Sequence, residues 1–373
     1  MDINYVLTRG VEQVLPTKDG LAKLLGEKKI TLYQGFDPTA ESLHVGHFIG
    51  IRKLAQFQKL GAKVVFLIGD FTAKIGDPTD KSAARVRLTD EEIKKNLSGY
   101  LDQIANIIDL EKAEVKYNSE WLSKLDFAQV LDLAANFTVQ QMSERSMFAD
   151  RLKNDKPIYL HEFLYPLMQG YDSVALEVDL EIGGNDQLFN MMAGRTLLKS
   201  LKNKEKYVLT MKLLTDSSGN KMGKTTGNAL NLTDSAEDMF GKLMSMTDEM
   251  LEIGYELLTD LDYTPTDNPM SDKKALSFDV IKQIKGEDAA KKAQEHFEKT
   301  FQQAEPEYSK KIKMQDNFVS TIAKAANISN SEAKRLLSQN AVSVNDQKVT
   351  DLNHELKSGD KLKIGVKTFV EVE

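Results

Sequence analysis

The chain has 373 residues, 41% of them hydrophobic and 28% charged, with 49 Lys plus Arg against 56 Asp plus Glu and a formal net charge of -7, which fits two or three folded domains and excludes a generic basic nucleic-acid coat. Cysteine is absent, which excludes a disulfide framework, thiol nucleophiles and cysteine-based metal centres, and five histidines leave little room for any other metal site. No apolar run approaches the roughly 20 residues of a membrane helix, and MDINYVLTRGVEQVLP carries acid early with no apolar signal core, so a cytoplasmic protein is expected.

In chain order, short apolar runs alternate with helical periodicity. Residues Thr31 to Phe36 predict a strand, and Val45 to Leu60 has helix spacing. Ala62 to Gly69, with Val64, Val65, Phe66, Leu67 and Ile68 in succession, predicts a strand buried on both faces. Helices are expected near Glu91 to Ile108 and Ala128 to Phe137, then a strand at Glu177 to Ile182. Strands alternating with helices define an α/β class with a Rossmann-like, mostly parallel sheet covered on both sides. The polar segment Thr215 to Thr226 predicts a loop. SAEDMFGKLMSMTDEMLEIGYELL is helical and acidic, with Ser235 and Asp238 suited to its cap, and a second helical stretch runs from Lys273 to about Gln303. Pro306 with Lys310, Lys311 and Lys313 predicts a linker. Helices at Phe318 to Ala326 and Ser331 to Gln339 precede strands in which Val342, Val344, Leu362, Ile364 and Val366 keep period two, with Asn345-Asp346 as a tight hairpin turn. These last elements form a small separate α+β module.

Three constellations carry chemistry. YQGFDPTAESLHVGH places Gly35, Thr39, His44, Gly46 and His47 between a strand end and a helix start, where an open parallel sheet binds ligands. Helix-start amides favour phosphate, and Gly46 lets a flat base or sugar approach the backbone. Lys221-Met222-Gly223-Lys224-Thr225 sets two ammonium groups three apart in a glycine-rich loop, suited to charge moving onto a leaving pyrophosphate. Tyr165, Gln169 and Asp172 in EFLYPLMQGYDS share one helix face and need polar company, such as an ammonium or a phenol. Asp77 in IGDPT and the Asp186-Gln187 pair in GGNDQ add polar groups at strand ends, and Lys81 and Arg85 follow Asp77 as an anion-reaching pair.

Together these segments resemble the bacterial tyrosyl-tRNA synthetases, class I enzymes that join tyrosine to its tRNA. YxGFDPTAxSLHxGH, FLIGDFTAxIGDPT, FLYPLMQGYDS, GGxDQ and KMGKT occur in the family's order, HVGH matches its HIGH motif and KMGKT its KMSKS motif. NSEAKRLLSQNAVSVNDQKV resembles the family's S4-like RNA-binding tail. The resemblance implies a catalytic domain over 1–215, the KMGKT loop and an α-helical anticodon-binding domain over 216–313, and an S4-like domain over 314–373. It implies that Tyr33 and Asp172 bond the phenolic hydroxyl of tyrosine, while Asp77, Tyr165 and Gln169 hold its ammonium. Thr39 and His44 would stabilise the pyrophosphate side, with His47 and Gly46 by the ATP ribose and base. Asp37, Asp186 and Gln187 fall where the family contacts the adenylate and the substrate carboxylate, and Gly35 and Met222 belong to the ATP site. Lys81, Arg85, Lys221 and Lys224 would clamp phosphates from mobile loops. The implied partners are L-tyrosine, ATP with Mg2+ and the tyrosine tRNA, and the implied assembly is a homodimer with no membrane contact.

Three departures stand out: Gln34 where some members carry cysteine, Asn185 in place of a frequent Ser or Thr, and Gly223 with Thr225 in the lysine loop. A tryptophan enzyme shares the fold and chemistry, but Tyr33 with Asp172 and the S4-like tail favour tyrosine. Another HxGH nucleotidyltransferase would leave the C-terminal half without a role, and an RNA-binding relative without catalysis could dispense with HVGH and both lysines. The charge is unevenly spread. Residues 216–272 carry three basic against twelve acidic groups, whereas residues 273–373 carry eighteen against fifteen, so the tail can attract RNA phosphates locally.

Overall fold

Five consecutive apolar residues, Val64 to Ile68, suit a strand with both faces covered, and each is at most 1% exposed. The computed structural model describes residues 1–79, 88–144, 146–215, 229–302, 308, 310–365 and 368–373. The chain divides into two compact units, Met1–Lys291 and Lys292–Glu373.

The sheet of the first unit contains β1 (Val11–Leu15), β2 (Thr31–Phe36), β3 (Lys63–Ile68), β4 (Ala113–Tyr117), β5 (Leu180–Gly184) and β6 (Tyr207–Met211) in the spatial order β1-β6-β5-β2-β3-β4. All neighbours are parallel except β1 and β6. The winding reverses at β2, which has β3 on one side and β5 on the other, so a crevice opens at the carboxyl ends of β2 and β5. Helix α1 (Val45–Lys59) links β2 to β3, α2 (Leu160–Leu176) precedes β5, and α3 (Leu188–Lys202) links β5 to β6. Gly170 lets α2 and α3 approach closely, since a Cβ there would stand 2.9 Å from Leu197 and 3.1 Å from the Gly194 nitrogen.

Two expected helices are interrupted, each at a glycine in a left-handed conformation that other side chains adopt at a cost. Gly99 (φ +85°) divides the expected 91–108 helix into Asp90–Leu97 and Tyr100–Ile104. Gly286 (φ +93°) ends Pro269–Lys285 before Glu287–Phe297 begins. The strand expected at Glu177 starts three residues later because Glu177, at φ +46°, caps α2. Ser235 caps Ala236–Met244 by accepting from the Asp238 amide at 3.1 Å.

In the second unit β7 (Lys310–Ile312), β8 (Val342–Val344), β9 (Gln347–Lys348), β10 (Lys361–Ile364) and β11 (Thr368–Val372) form a sheet ordered β7-β11-β10-β8-β9. The helices Phe318–Ala326 and Asn330–Ser338 supply Ile322, Ala333 and Leu337 to a core shared with Val342, Leu362, Ile364 and Val370. Asn345 (φ +48°) and Asp346 (φ +65°) make the predicted hairpin turn. Val366 lies outside the described residues. Among the described residues, no helix is long and apolar enough to cross a membrane.

Candidate active site

The crevice at the ends of β2 and β5 holds a cavity of about 520 Å³. Twelve of the residues singled out from the sequence line it: Gly35, Asp37, Thr39, His44, Gly46, His47, Asp77, Tyr165, Gln169, Asp172, Asp186 and Gln187. Lys81, Arg85, Lys221, Met222 and Lys224 lie outside the described residues.

At one end stands the start of α1. His44 occupies the N-cap, its Nδ1 accepting from the Gly46 amide at 3.1 Å, while His47 Nδ1 accepts from the His44 amide at 3.2 Å. The two rings stack with centroids 3.9 Å apart. A Cβ at Gly46 would stand 2.9 Å from the His44 ring, so this glycine is required by the imidazole beside it. The Val45 and His47 amides are also engaged, with the Leu230 carbonyl at 2.9 Å and the His44 carbonyl at 2.8 Å. The expectation of open helix-start amides is therefore corrected. What this end offers an anion is the helix dipole and two stacked imidazoles. Gly35, at the end of β2, has no atom closer than 3.9 Å to a would-be Cβ, so here the backbone itself is open. The Gln34 side chain lies against Gly50, and its Oε1 is buried with no hydrogen-bond partner among the described residues.

The cavity wall also carries carboxylates. Asp37 accepts from Thr72 Oγ1 and from the Tyr165 hydroxyl, both at 2.7 Å, and Gly69 leaves room for it. Burial, and then the Asp37 and Asp77 carboxylates, push the Tyr165 phenol well above its usual range, so it stays a neutral donor. Asp77 accepts from the Thr79 hydroxyl and from Gln187 Nε2, each at 2.7 Å. Asp172, on α2, accepts from the Trp121 indole at 2.7 Å and from Asn118 Nδ2 at 3.4 Å. Burial raises the Asp172 carboxyl well above the ordinary aspartate range while those two N–H groups oppose the rise.

Tyr33 is not brought to the cavity wall. Fully buried among Val65, Leu67 and Val178, it places its hydroxyl 2.9 Å from Ser173 Oγ, below α2. Thr72, Asn118 and Trp121 are site residues that the sequence reading did not single out. Thr72 lies within the FLIGDFTAxIGDPT match, and Asn118 directly follows β4, a strand end that short edge composition concealed. Asn185, the departure in GGNDQ, accepts from Gln13 Nε2 at 3.1 Å, which ties it to β1.

One cavity thus combines a helix start and two imidazoles with several carboxylates, which suits a ligand carrying both phosphates and an ammonium or hydroxyl. The family of tRNA synthetases class I (W and Y) matches residues 25–302, and an S4 domain matches residues 321–362. The chain belongs to this class I tRNA synthetase family. Its similar relatives over nearly full length are tyrosine–tRNA ligases: that of Carboxydothermus hydrogenoformans is 40% identical over 98% of this chain and 96% of its own, and that of Geobacter sulfurreducens 42% identical over 94% and 93%. The mitochondrial tyrosyl-tRNA synthetase of Aspergillus nidulans shares the fold, with a TM-score of 0.68 and 23% identity over 80% of this chain and 94% of that one. So does the Archaeoglobus fulgidus enzyme solved with L-tyrosine, with a TM-score of 0.62 and 24% identity over 79% of this chain and 100% of that one.

Proposed function

We propose that the chain is a tyrosine–tRNA ligase, which activates L-tyrosine with ATP and transfers it to the 3′-terminal ribose of its tRNA. The observation that carries the substrate assignment is Asp172, a buried carboxylate on the cavity wall held by two N–H donors, suited to accept a hydrogen bond from a phenolic hydroxyl. In this reading Asp77, Tyr165 and Gln169 take the ammonium, and Gln187, Asp37 and Asp186 meet the substrate carboxylate and the adenylate. Tyr33 backs Asp172 from inside the core. Gly35, Gly46, His47 and Met222 border the nucleotide, Thr39 and His44 stabilise the pyrophosphate side, and Lys81, Arg85, Lys221 and Lys224 neutralise phosphates.

A tyrosine carboxylate oxygen attacks the ATP α-phosphorus in line, the bond from that phosphorus to the α,β-bridging oxygen breaks, and pyrophosphate leaves with its electrons. A ribose hydroxyl of the tRNA then attacks the adenylate carbonyl, and AMP departs. No side chain forms a covalent bond, so catalysis is positioning and charge stabilisation. ATP enters as its Mg2+ complex. Segment 216–313 and the S4-like domain hold the tRNA, and the enzyme works in the cytoplasm. Pyrophosphate exchange into ATP should depend on tyrosine. Exchange with tryptophan alone would overturn the substrate, and tRNA binding with no exchange would favour a non-catalytic RNA-binding protein.

A homodimer is part of this reading. Phe127, Val139 and Leu160 are 78%, 72% and 84% exposed, and Leu131, Leu152 and Tyr159 add further apolar surface between residues 127 and 160. So much exposed apolar surface in one stretch suits a self-complementary contact with a second copy. The double substitution Phe127→Arg and Leu160→Arg should halve the mass measured by light scattering, and an unchanged mass would refute this interface.

A further inference from the structure

Beneath Gln169 lies a buried ion pair to which the reaction above gives no part. Lys206, just before β6, meets Glu181 of β5, with both side chains at most 2% exposed. The Lys206 ammonium also donates to Ser173 Oγ at 2.7 Å and to the Met191 carbonyl at 3.0 Å, which employs all three of its hydrogens. Ser173 donates to Glu181 Oε2 at 3.2 Å. The Tyr33 phenol lies 2.9 Å from Ser173 Oγ and also reaches the Gln169 carbonyl at 3.4 Å. The other oxygen, Glu181 Oε1, accepts from Gln169 Nε2 at 3.1 Å. Helix α3 makes room for the cluster at Gly194, where a Cβ would stand 2.6 Å from both Lys206 Nζ and Ser173 Oγ.

The consequence lies in the polarity of one amide. A carboxylate paired with an ammonium only accepts, so Gln169 must turn its NH2 toward Glu181. The amide is planar, and its carbonyl oxygen is then the polar atom left for the cavity that Gln169 lines. An amide free to flip would present NH2 as readily, and NH2 repels a cation.

We propose that Glu181, fixed by Lys206 and Ser173, is a positioning residue that locks Gln169 with its carbonyl toward the substrate's ammonium, a role that rests on Gln169 being an ammonium partner of tyrosine. The two arms of the cluster reach two parts of the site at once: one orients Gln169, and the other ties down Tyr33 behind Asp172.

The test separates recognition of the ammonium from general packing. In the double variant Glu181→Gln with Lys206→Met, no unpaired charge remains, yet residue 181 can now donate as well as accept, so Gln169 loses its enforced orientation. Tyrosine affinity, measured by calorimetry, should fall about tenfold, the scale of one hydrogen bond to a charged group. Affinity for 3-(4-hydroxyphenyl)propionate, which lacks only the ammonium, should stay within about twofold, as should KM for ATP. Gly194→Ala, which wedges a methyl among the same side chains and removes none of them, should show the same selective loss and covers the case in which the double variant does not fold. Equal losses for tyrosine and the propionate would mean a purely structural cluster and overturn the proposal. If instead Gln169→Ala in the otherwise unchanged enzyme weakens both ligands equally, the reading of Gln169 as ammonium partner fails, and Glu181 loses its role for that separate reason.

Discussion

Asp172→Ala should lower kcat/KM for tyrosine in pyrophosphate exchange by about 10²- to 10³-fold while lowering the small activity with phenylalanine far less. The carboxylate is 3% exposed and already holds the Trp121 indole and the Asn118 amide. Removing it leaves two kinds of donor without an acceptor, the Trp121 N–H and the phenolic O–H of the substrate. A buried donor left unsatisfied costs about 1–3 kcal/mol, so losing both together gives the expected range. Phenylalanine brings no hydroxyl and suffers only the first loss, so the ratio between the two substrates should collapse. The pH dependence has a definite sign. Burial raises the Asp172 pKa, so the negative charge that strengthens its hydrogen bond to the hydroxyl is lost as pH falls through that raised value, at a higher pH than for an exposed aspartate. Equal losses for both amino acids would show that Asp172 supports the fold of the site rather than the reading of the hydroxyl.

The sequence conveyed the parts of this molecule that depend on local composition. The five-residue apolar run of β3, the cap at Ser235 and the Asn345-Asp346 turn follow from residue type alone, and each appears where it was expected. The motif segments likewise delivered twelve residues to a single cavity. The edge strands β1 and β4 were not anticipated, because VEQVL and AEVKY interleave charged residues and are too short to show a clear period. Tertiary packing hid more. No spacing rule indicates that Trp121, in the short helix Ser119–Leu122 after β4, bonds Asp172 on α2, or that Lys206, Glu181 and Ser173 meet under Gln169, the latter through the parallel register of β5 and β6 and the α2–α3 packing. Tyr33 shows the reverse case. Its motif points to the ligand, yet its position on the covered face of β2 points its hydroxyl to Ser173.

Lys224→Ala should slow adenylate formation by about 10²- to 10³-fold, the usual effect of removing one preorganised charge partner from a transition state, while tyrosine affinity stays within about twofold. The described chain on both sides of the lysine segment touches the cavity or the start of α1 beside it. Leu213 and Leu214, just before it, line the cavity, and just after it the Leu230 carbonyl accepts from the Val45 amide at 2.9 Å while the Leu232 amide donates to the Leu43 carbonyl at 2.8 Å. The described residues that flank the lysine segment thus meet the HVGH stretch. With the helix-start amides already engaged, the α1 dipole and its imidazoles are left to face charge that builds up as pyrophosphate departs, and a further positive group is needed there. Lys221→Ala should act in the same direction. If the two ammonium groups neutralise one leaving group together, the double variant should lose less than the product of the single losses. The decisive measurement is single-turnover adenylate formation at saturating tyrosine, set beside equilibrium tyrosine binding. A rate like that of the unaltered enzyme, or a large loss of tyrosine affinity, would contradict a phosphate role for Lys224.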